Sequence, residues 1–292
     1  MRKLLPFVLL FSAMLAAQTP PPGSIKLLPQ YEHLPASGKN ADKAGTIQRA
    51  NGPRIEYEFG ISAPQTDVPQ STYAPSPHGA EADVTKPHMP STYDIDLVPG
   101  PSSIIEENTS IAGRPVRFIG LHLKRGHQAD VYFTRDKLRF RSLYANSQQL
   151  AEILLTALSY PARPDQPTFM RIPFRRIKLE KDPANAIITH GRVTHTVGEN
   201  SSGTLTQPNE PQIAYTVGTP AKALAEWSLQ QDFIGHPISV SYGRIAADPV
   251  PRLQIVFTPQ PGADADPVTF IAPVKDDREF VHVLMTVLTY HQ

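Results

Sequence analysis

QLAEILLTALSY, residues Gln149–Tyr160, and EFVHVLMTVLTY, residues Glu279–Tyr290, set the same residue types in the same order at the middle and at the end of a 292-residue chain. Leu154, Thr156, Leu158 and Tyr160 of the first fall on Leu284, Thr286, Leu288 and Tyr290 of the second. In the earlier segment Leu150, Ile153, Leu154, Ala157 and Leu158 recur at helical spacing, and Ala151 and Leu155 widen the apolar face beyond that of a half-solvated helix. Val281 and Met285 widen the later copy further. A helix that is apolar over so much of its circumference needs cover on two sides. Each copy is therefore expected to pack on its own sheet and against the other copy.

The similarity extends outward in order. IKLL at Ile25 matches IKLE at Ile177, RIEYEFG ending at Gly60 matches RVTHTVG ending at Gly198, and TYDIDLV at Thr92 matches QIAYTV at Gln212. IAGRPVRF at Ile111 matches FIGHPISV at Phe233, and VYFT at Val131 matches IVFT at Ile255. Amphipathic patterning alone does not demand the shared Gly-x-Pro at Gly113 and Gly235, so the matches read as an internal repeat.

The segments between the helices carry strand signals. In TIQRANGPRIEYEFG, Asn51 and Gly52 supply residues suited to positive φ, and Ile55, Tyr57 and Phe59 alternate with Arg54, Glu56 and Glu58. ADVYFTRDKLRFRSL reads as a second hairpin, and Asn146 or Ser147 as the N-cap of the helix that follows. The expected fold is α+β: two tandem related lobes, each a mainly antiparallel sheet with one packed C-terminal helix. Residues 25–162 form the first repeat, with a proline-rich loop at 61–92, and residues 163–292 form the second.

Residues 1–17 read as a signal peptide, with Arg2 and Lys3 ahead of an apolar run from Leu4 to Ala17, and residues 18–24 as a proline-rich linker. The run is shorter than the roughly 20 residues a membrane-spanning helix needs. These features predict an exported, periplasmic or extracellular chain that does not span a membrane. The absence of cysteine excludes disulfides and thiolate metal sites.

Charge is unevenly distributed. Residues 18–113 hold 6 Lys+Arg against 11 Asp+Glu, residues 114–181 hold 14 against 5, and residues 182–292 hold 6 against 11. In the basic zone Arg135, Lys137, Arg139 and Arg141 stand at spacing two, so on one strand they would share a face. Arg171, Arg175, Arg176 and Lys178 add to it. These eight form the expected ligand-binding face for an anionic envelope polymer or protein partner, concentrated there by positive potential. The opposing reading is that these cations neutralise the acidic flanks within the fold. Nucleic acid is not an expected partner of an exported protein.

His190 and His195 flank Gly191-Arg192. A two-residue turn there sets His190 opposite Val193 and His195 opposite Ile188, with both imidazoles on one face. No third ligand lies nearby, so no metal is expected there. His122 and His127 share the spacing but face opposite ways on a continuous strand. The carboxylate pairs Glu56 with Glu58 and Asp94 with Asp96 read as the wet faces of strands, and Asp264 with Asp266 as turn chemistry. Trp227, in AKALAEWSLQQDF, reads as a helix anchor. No nucleophile or phosphate-loop motif occurs, and no cofactor is expected. The expected role is a non-catalytic binding or interaction module of the cell envelope, with a hydrolase whose site assembles in space as the alternative.

Overall fold

The computed structural model describes residues 32–35, 43–48, 51–64, 104–111, 114–124, 126–159, 187–190, 193–197, 202–218, 222–233, 236–245, 248–259 and 266–290. The first lobe contains β1 (Glu32–Pro35), β2 (Ala44–Gln48), β3 (Ile55–Phe59), β4 (Ile104–Ile111), β5 (Arg114–Leu123), β6 (Gly126–Phe133), β7 (Leu138–Tyr144) and α1 (Ser147–Leu158). The second contains β8 (Ile187–His190), β9 (Val193–Val197), β10 (Ser202–Thr206), β11 (Ile213–Val217), β12 (Trp227–Phe233), β13 (His236–Gly243), β14 (Arg252–Phe257), β15 (Val268–Pro273) and α2 (Asp277–Tyr290).

The first sheet runs β1-β2-β3-β7-β6-β5-β4, and the second, taken from its far edge, runs β8-β9-β10-β11-β15-β14-β13-β12. Every pairing is antiparallel. With β8 set aside as an added edge strand, the two orders are identical, so the lobes are two copies of one α+β topology.

Single hydrogen bonds repeat with the topology. The backbone N–H of Thr134 donates to the carbonyl of Pro115, and that of Thr258 to the carbonyl of Pro237. Gly60 N–H donates to Lys137 O, and Gly218 N–H to Pro267 O, both glycines taking positive φ where a side chain would be strained. At the head of α1, Gln149 N–H donates to Asn146 Oδ1 and Ala145 N–H to Gln149 Oε1. At the head of α2, Glu279 N–H donates to Asp276 Oδ1 and Lys275 N–H to Glu279 Oε2. Both helices thus open on the same reciprocal pair of bonds, a variant of the capping box in which the third helical side chain accepts from the residue before the cap, and Asn146 is the cap the sequence offered.

Two of the sequence matches are out of step, RIEYEFG with RVTHTVG and TYDIDLV with QIAYTV. RIEYEFG occupies β3, whose structural counterpart is QIAYTVG of β11, whereas RVTHTVG forms β9. Alternating apolar and polar residues fit any half-buried strand, so pattern alone matched one strand to another two places away. The marker that fixes the alignment is an aromatic lying across a cross-strand glycine. Tyr57 lies over Gly45, and Tyr215 over Gly203, each close enough that a Cβ on the glycine would meet the phenol oxygen at 2.5 Å. Burial raises the pKa of both phenols above the ordinary tyrosine value. TYDIDLV, IKLL and IKLE lie outside the described residues, as do residues 1–24 and the loop beyond Pro64.

The two lobes share one core. Leu150, Ala151, Ile153, Leu154, Leu155, Ala157 and Leu158 of α1 join Phe280, Val281, Val283, Leu284, Met285, Val287 and Leu288 of α2 in a single buried cluster with both sheets. Helix α1 packs on β6 and β7 of its own sheet and on β12 of the other, α2 packs on β14 and on β4, and the helices touch each other. This exchange covers the wide apolar faces and sets each helix against an edge strand of the other lobe, α1 on β12 and α2 on β4. Polar contacts mark both crossings: Gln231 Nε2 donates to Thr156 Oγ1 at 3.3 Å, and His282 Nδ1 lies 3.4 Å from Glu107 Oε1. Trp227 begins a strand rather than a helix, because Trp227, Leu229, Gln231 and Phe233 alternate inward. Its indole N–H donates to Ser147 Oγ at the start of α1.

Candidate metal centre

The basic stripe divides once the turn is built. Phe133 pairs with Leu138, so Arg135 lies in the exposed β6–β7 turn together with Lys137, which takes φ of 49°. Only Arg139 and Arg141 stand on β7, and both meet acids: Arg139 Nη2 donates to Glu58 Oε2 at 2.7 Å, and Arg141 grips Asp130 through Nε and Nη2 at 2.7 and 2.8 Å. Glu58 and Asp130 are brought opposite by the registers Glu58↔Arg139 and Asp130↔Arg141. Arg114 pairs with Asp136, and Arg117 with Glu106. Four cations of the basic zone therefore meet acids inside the fold, two of them from the acidic flank. Arg171, Arg175, Arg176 and Lys178 lie outside the described residues. The hairpin of His190 and His195 has the register read from the sequence, His190↔Val193 and Ile188↔His195.

The convergent chemistry lies elsewhere. Strands β5 and β6 pair across a short reversal, with Leu123 paired to Gly126 and His122 directly opposite His127. The two imidazoles therefore share the helix-covered face of the first sheet instead of facing apart. Their ring centroids are 4.3 Å apart and nearly perpendicular. One strand over, Tyr144 is paired with His127, and its ring centroid is 5.1 Å from the imidazole.

The third group comes from the other lobe. Asp277, the first residue of α2 after the capping Asp276, places Oδ2 3.8 Å from His122 Nε2 and 3.7 Å from His127 Nδ1. All three atoms lie within 4.8 Å of one another. Both imidazole nitrogens are buried without a hydrogen-bond partner, a condition costing roughly 1–3 kcal/mol for each group. The side chains keep 27%, 37% and 26% of their exposure, so an ion has a route in. The Tyr144 O–H donates to the same Asp277 Oδ2 at 3.1 Å. Burial, and then the charge and hydrogen bond of Asp277, raise the Tyr144 pKa far above the ordinary tyrosine range, so the phenol keeps its proton.

This donor set fits a transition-metal ion. Two imidazoles, which are borderline donors, with one hard carboxylate oxygen make a set of the kind Zn(II), Cu(II) and Ni(II) take. Around a tetrahedral ion with bonds near 2.0–2.1 Å, neighbouring donors stand about 3.4 Å apart. The two carboxylate–imidazole distances, 3.7 and 3.8 Å, need a few tenths of an ångström of closure, and the two imidazole nitrogens lie within 4.8 Å of each other. Three protein ligands leave one position for water or a further ligand.

Comparison of the chain with protein-family models, curated proteins and solved structures finds no match. Among the described residues no helix is long and apolar enough to cross a membrane.

Proposed function

We propose that the protein is an exported binding module of the cell envelope whose ligand is a divalent transition-metal ion held by His122, His127 and Asp277. The observation that carries this reading is the pair of buried, unpartnered imidazole nitrogens aimed at one carboxylate oxygen. Export is supported by the Arg2-Lys3 start and the apolar run to Ala17. An anionic partner stays in the proposal through the exposed Arg135 and Lys137, since Arg139 and Arg141 are held by Glu58 and Asp130.

Titrating chelator-treated protein with Zn(II) by calorimetry, and with Co(II) by visible absorption, tests the reading. One ion per chain is expected, with the ligand-field bands of a low-coordinate Co(II), and both signals are lost in His122→Ala and in Asp277→Asn. Saturation should raise thermal stability, by about 2.7 kcal/mol at a hundredfold excess over Kd. A wild-type chain that binds neither ion refutes the reading. The open fourth position favours a second reading, a metal-dependent hydrolase. Zinc-dependent turnover of a chromogenic ester or phosphate ester, absent from Asp277→Asn, would favour that reading.

A further inference from the structure

We propose that Tyr144 determines which ion the site accepts, by fixing Asp277 to present a single oxygen and so favouring small four-coordinate Zn(II) over larger ions that take a carboxylate through both oxygens. This rests on the metal reading given above. Asp277 Oδ2 is the atom nearest both imidazoles and also the atom that accepts the Tyr144 hydrogen bond. The phenol O–H, 3.1 Å away, and the two imidazole nitrogens, 3.8 and 3.7 Å away, all converge on that one oxygen. Rotating the carboxylate to offer both oxygens to an ion would break the phenol hydrogen bond. Hydrogen-bonded partners of this kind orient metal ligands, and removing them typically costs 10–100-fold in affinity.

Tyr144 has no freedom to follow such a rotation. Its side chain is buried, and strand pairing with His127 sets its position. Packing does not require a tyrosine there, because the second lobe fills the same place with Val274, whose N–H donates to Pro251 O as the counterpart of the Tyr144–His127 pairing. His122, His127 and Asp277 are likewise replaced there, by Arg244, Pro251 and Ser147. Tyr144 therefore goes with the ligands.

The test compares Zn(II) and Mn(II) affinities of wild type and Tyr144→Phe by competition titration. X-ray absorption of the Zn-loaded proteins reports the carboxylate binding mode. The variant keeps the ring, and near-ultraviolet circular dichroism checks that it is folded. Zn(II) affinity should fall 10–100-fold and Mn(II) affinity less than about threefold, with wild type showing one-oxygen carboxylate coordination. An unchanged Zn(II)/Mn(II) ratio in a folded variant, or two-oxygen coordination in wild-type protein, overturns the inference while leaving the metal reading intact. If the variant does not fold, the wild-type absorption result alone decides. A wild type that binds no ion removes both.

Discussion

The two helix starts occupy equivalent places and do different things. At the head of α2, Asp277 faces His122, His127 and Tyr144 of the first lobe; at the head of α1, Ser147 accepts the indole hydrogen of Trp227 from the second. Trp227 stacks on Tyr242 at 5.7 Å and lies 6.2 Å from Phe280, so that junction is closed by aromatic packing. The capping boxes, strand order and cross-strand bonds are shared; the side chains at the junction are not. A repeated scaffold thus supplies two similar seams, and the sequence fills one with metal-type donors and the other with apolar surface. Fold and site are separately specified, so a change to the shared core should affect both lobes alike, whereas a change at a seam should not.

The largest test of that division is in the core. Leu154 and Leu284 hold equivalent, fully buried positions in the two helices. Truncating either to alanine should cost about 2–5 kcal/mol. Because both lobes contribute to one core, each variant should unfold in guanidinium as a single transition by fluorescence and circular dichroism together. Two separate transitions, or a loss confined to the mutated lobe, would show that the halves fold independently.

A smaller test uses a place where the copies diverge on the outer sheet face. Asp130, with 0% of its side chain exposed, is gripped by Arg141 and also accepts from Gln128 and Tyr132. Its counterpart is Gln254, a neutral amide that donates to Lys222 O. Arg141→Ala strands a buried charge and should cost about 3–5 kcal/mol. Gln254→Ala removes a neutral group and its bond, and should cost about 1–3 kcal/mol. Arg139→Ala, whose partner Glu58 is 41% exposed, should cost no more than about 1 kcal/mol. Equal losses at Arg141 and Arg139 in urea unfolding would show that burial of the acid does not set the scale.

These contrasts mark which interactions local sequence carries. Helix position, both apolar faces, the Asn146 cap and the twofold α+β plan follow from spacing, since each depends on residues a few places apart. The cluster of His122, His127 and Asp277 was not legible in this way. His122 and His127 become neighbours only because the chain reverses between Leu123 and Gly126, and the local clue is Gly126, whose φ is 133°. Asp277 arrives through the packing of α2 on β4, which no local pattern encodes. The basic stripe misled for a related reason: spacing two implies a shared face only within a strand, and the turn that frees Arg135 and Lys137 also leaves Arg139 and Arg141 beside carboxylates.

The smallest expected effects sharpen the comparison most. Asn146 and Asp276 cap the two helices with the same geometry, each accepting a backbone N–H at 3.0 and 2.8 Å respectively. Removing either side chain should cost about 1 kcal/mol, and in metal-free protein the two losses should agree within a few tenths. Asp276 also fixes the backbone from which Asp277 reaches across the seam, whereas Asn146 precedes a serine that holds only an indole. In Zn(II)-saturated protein the losses should therefore separate, Asp276→Ala falling further in melting temperature because its ion affinity falls too. Identical losses with and without zinc would mean that the cap does not position Asp277, and that the carboxylate is held in place by Tyr144 and the imidazoles alone.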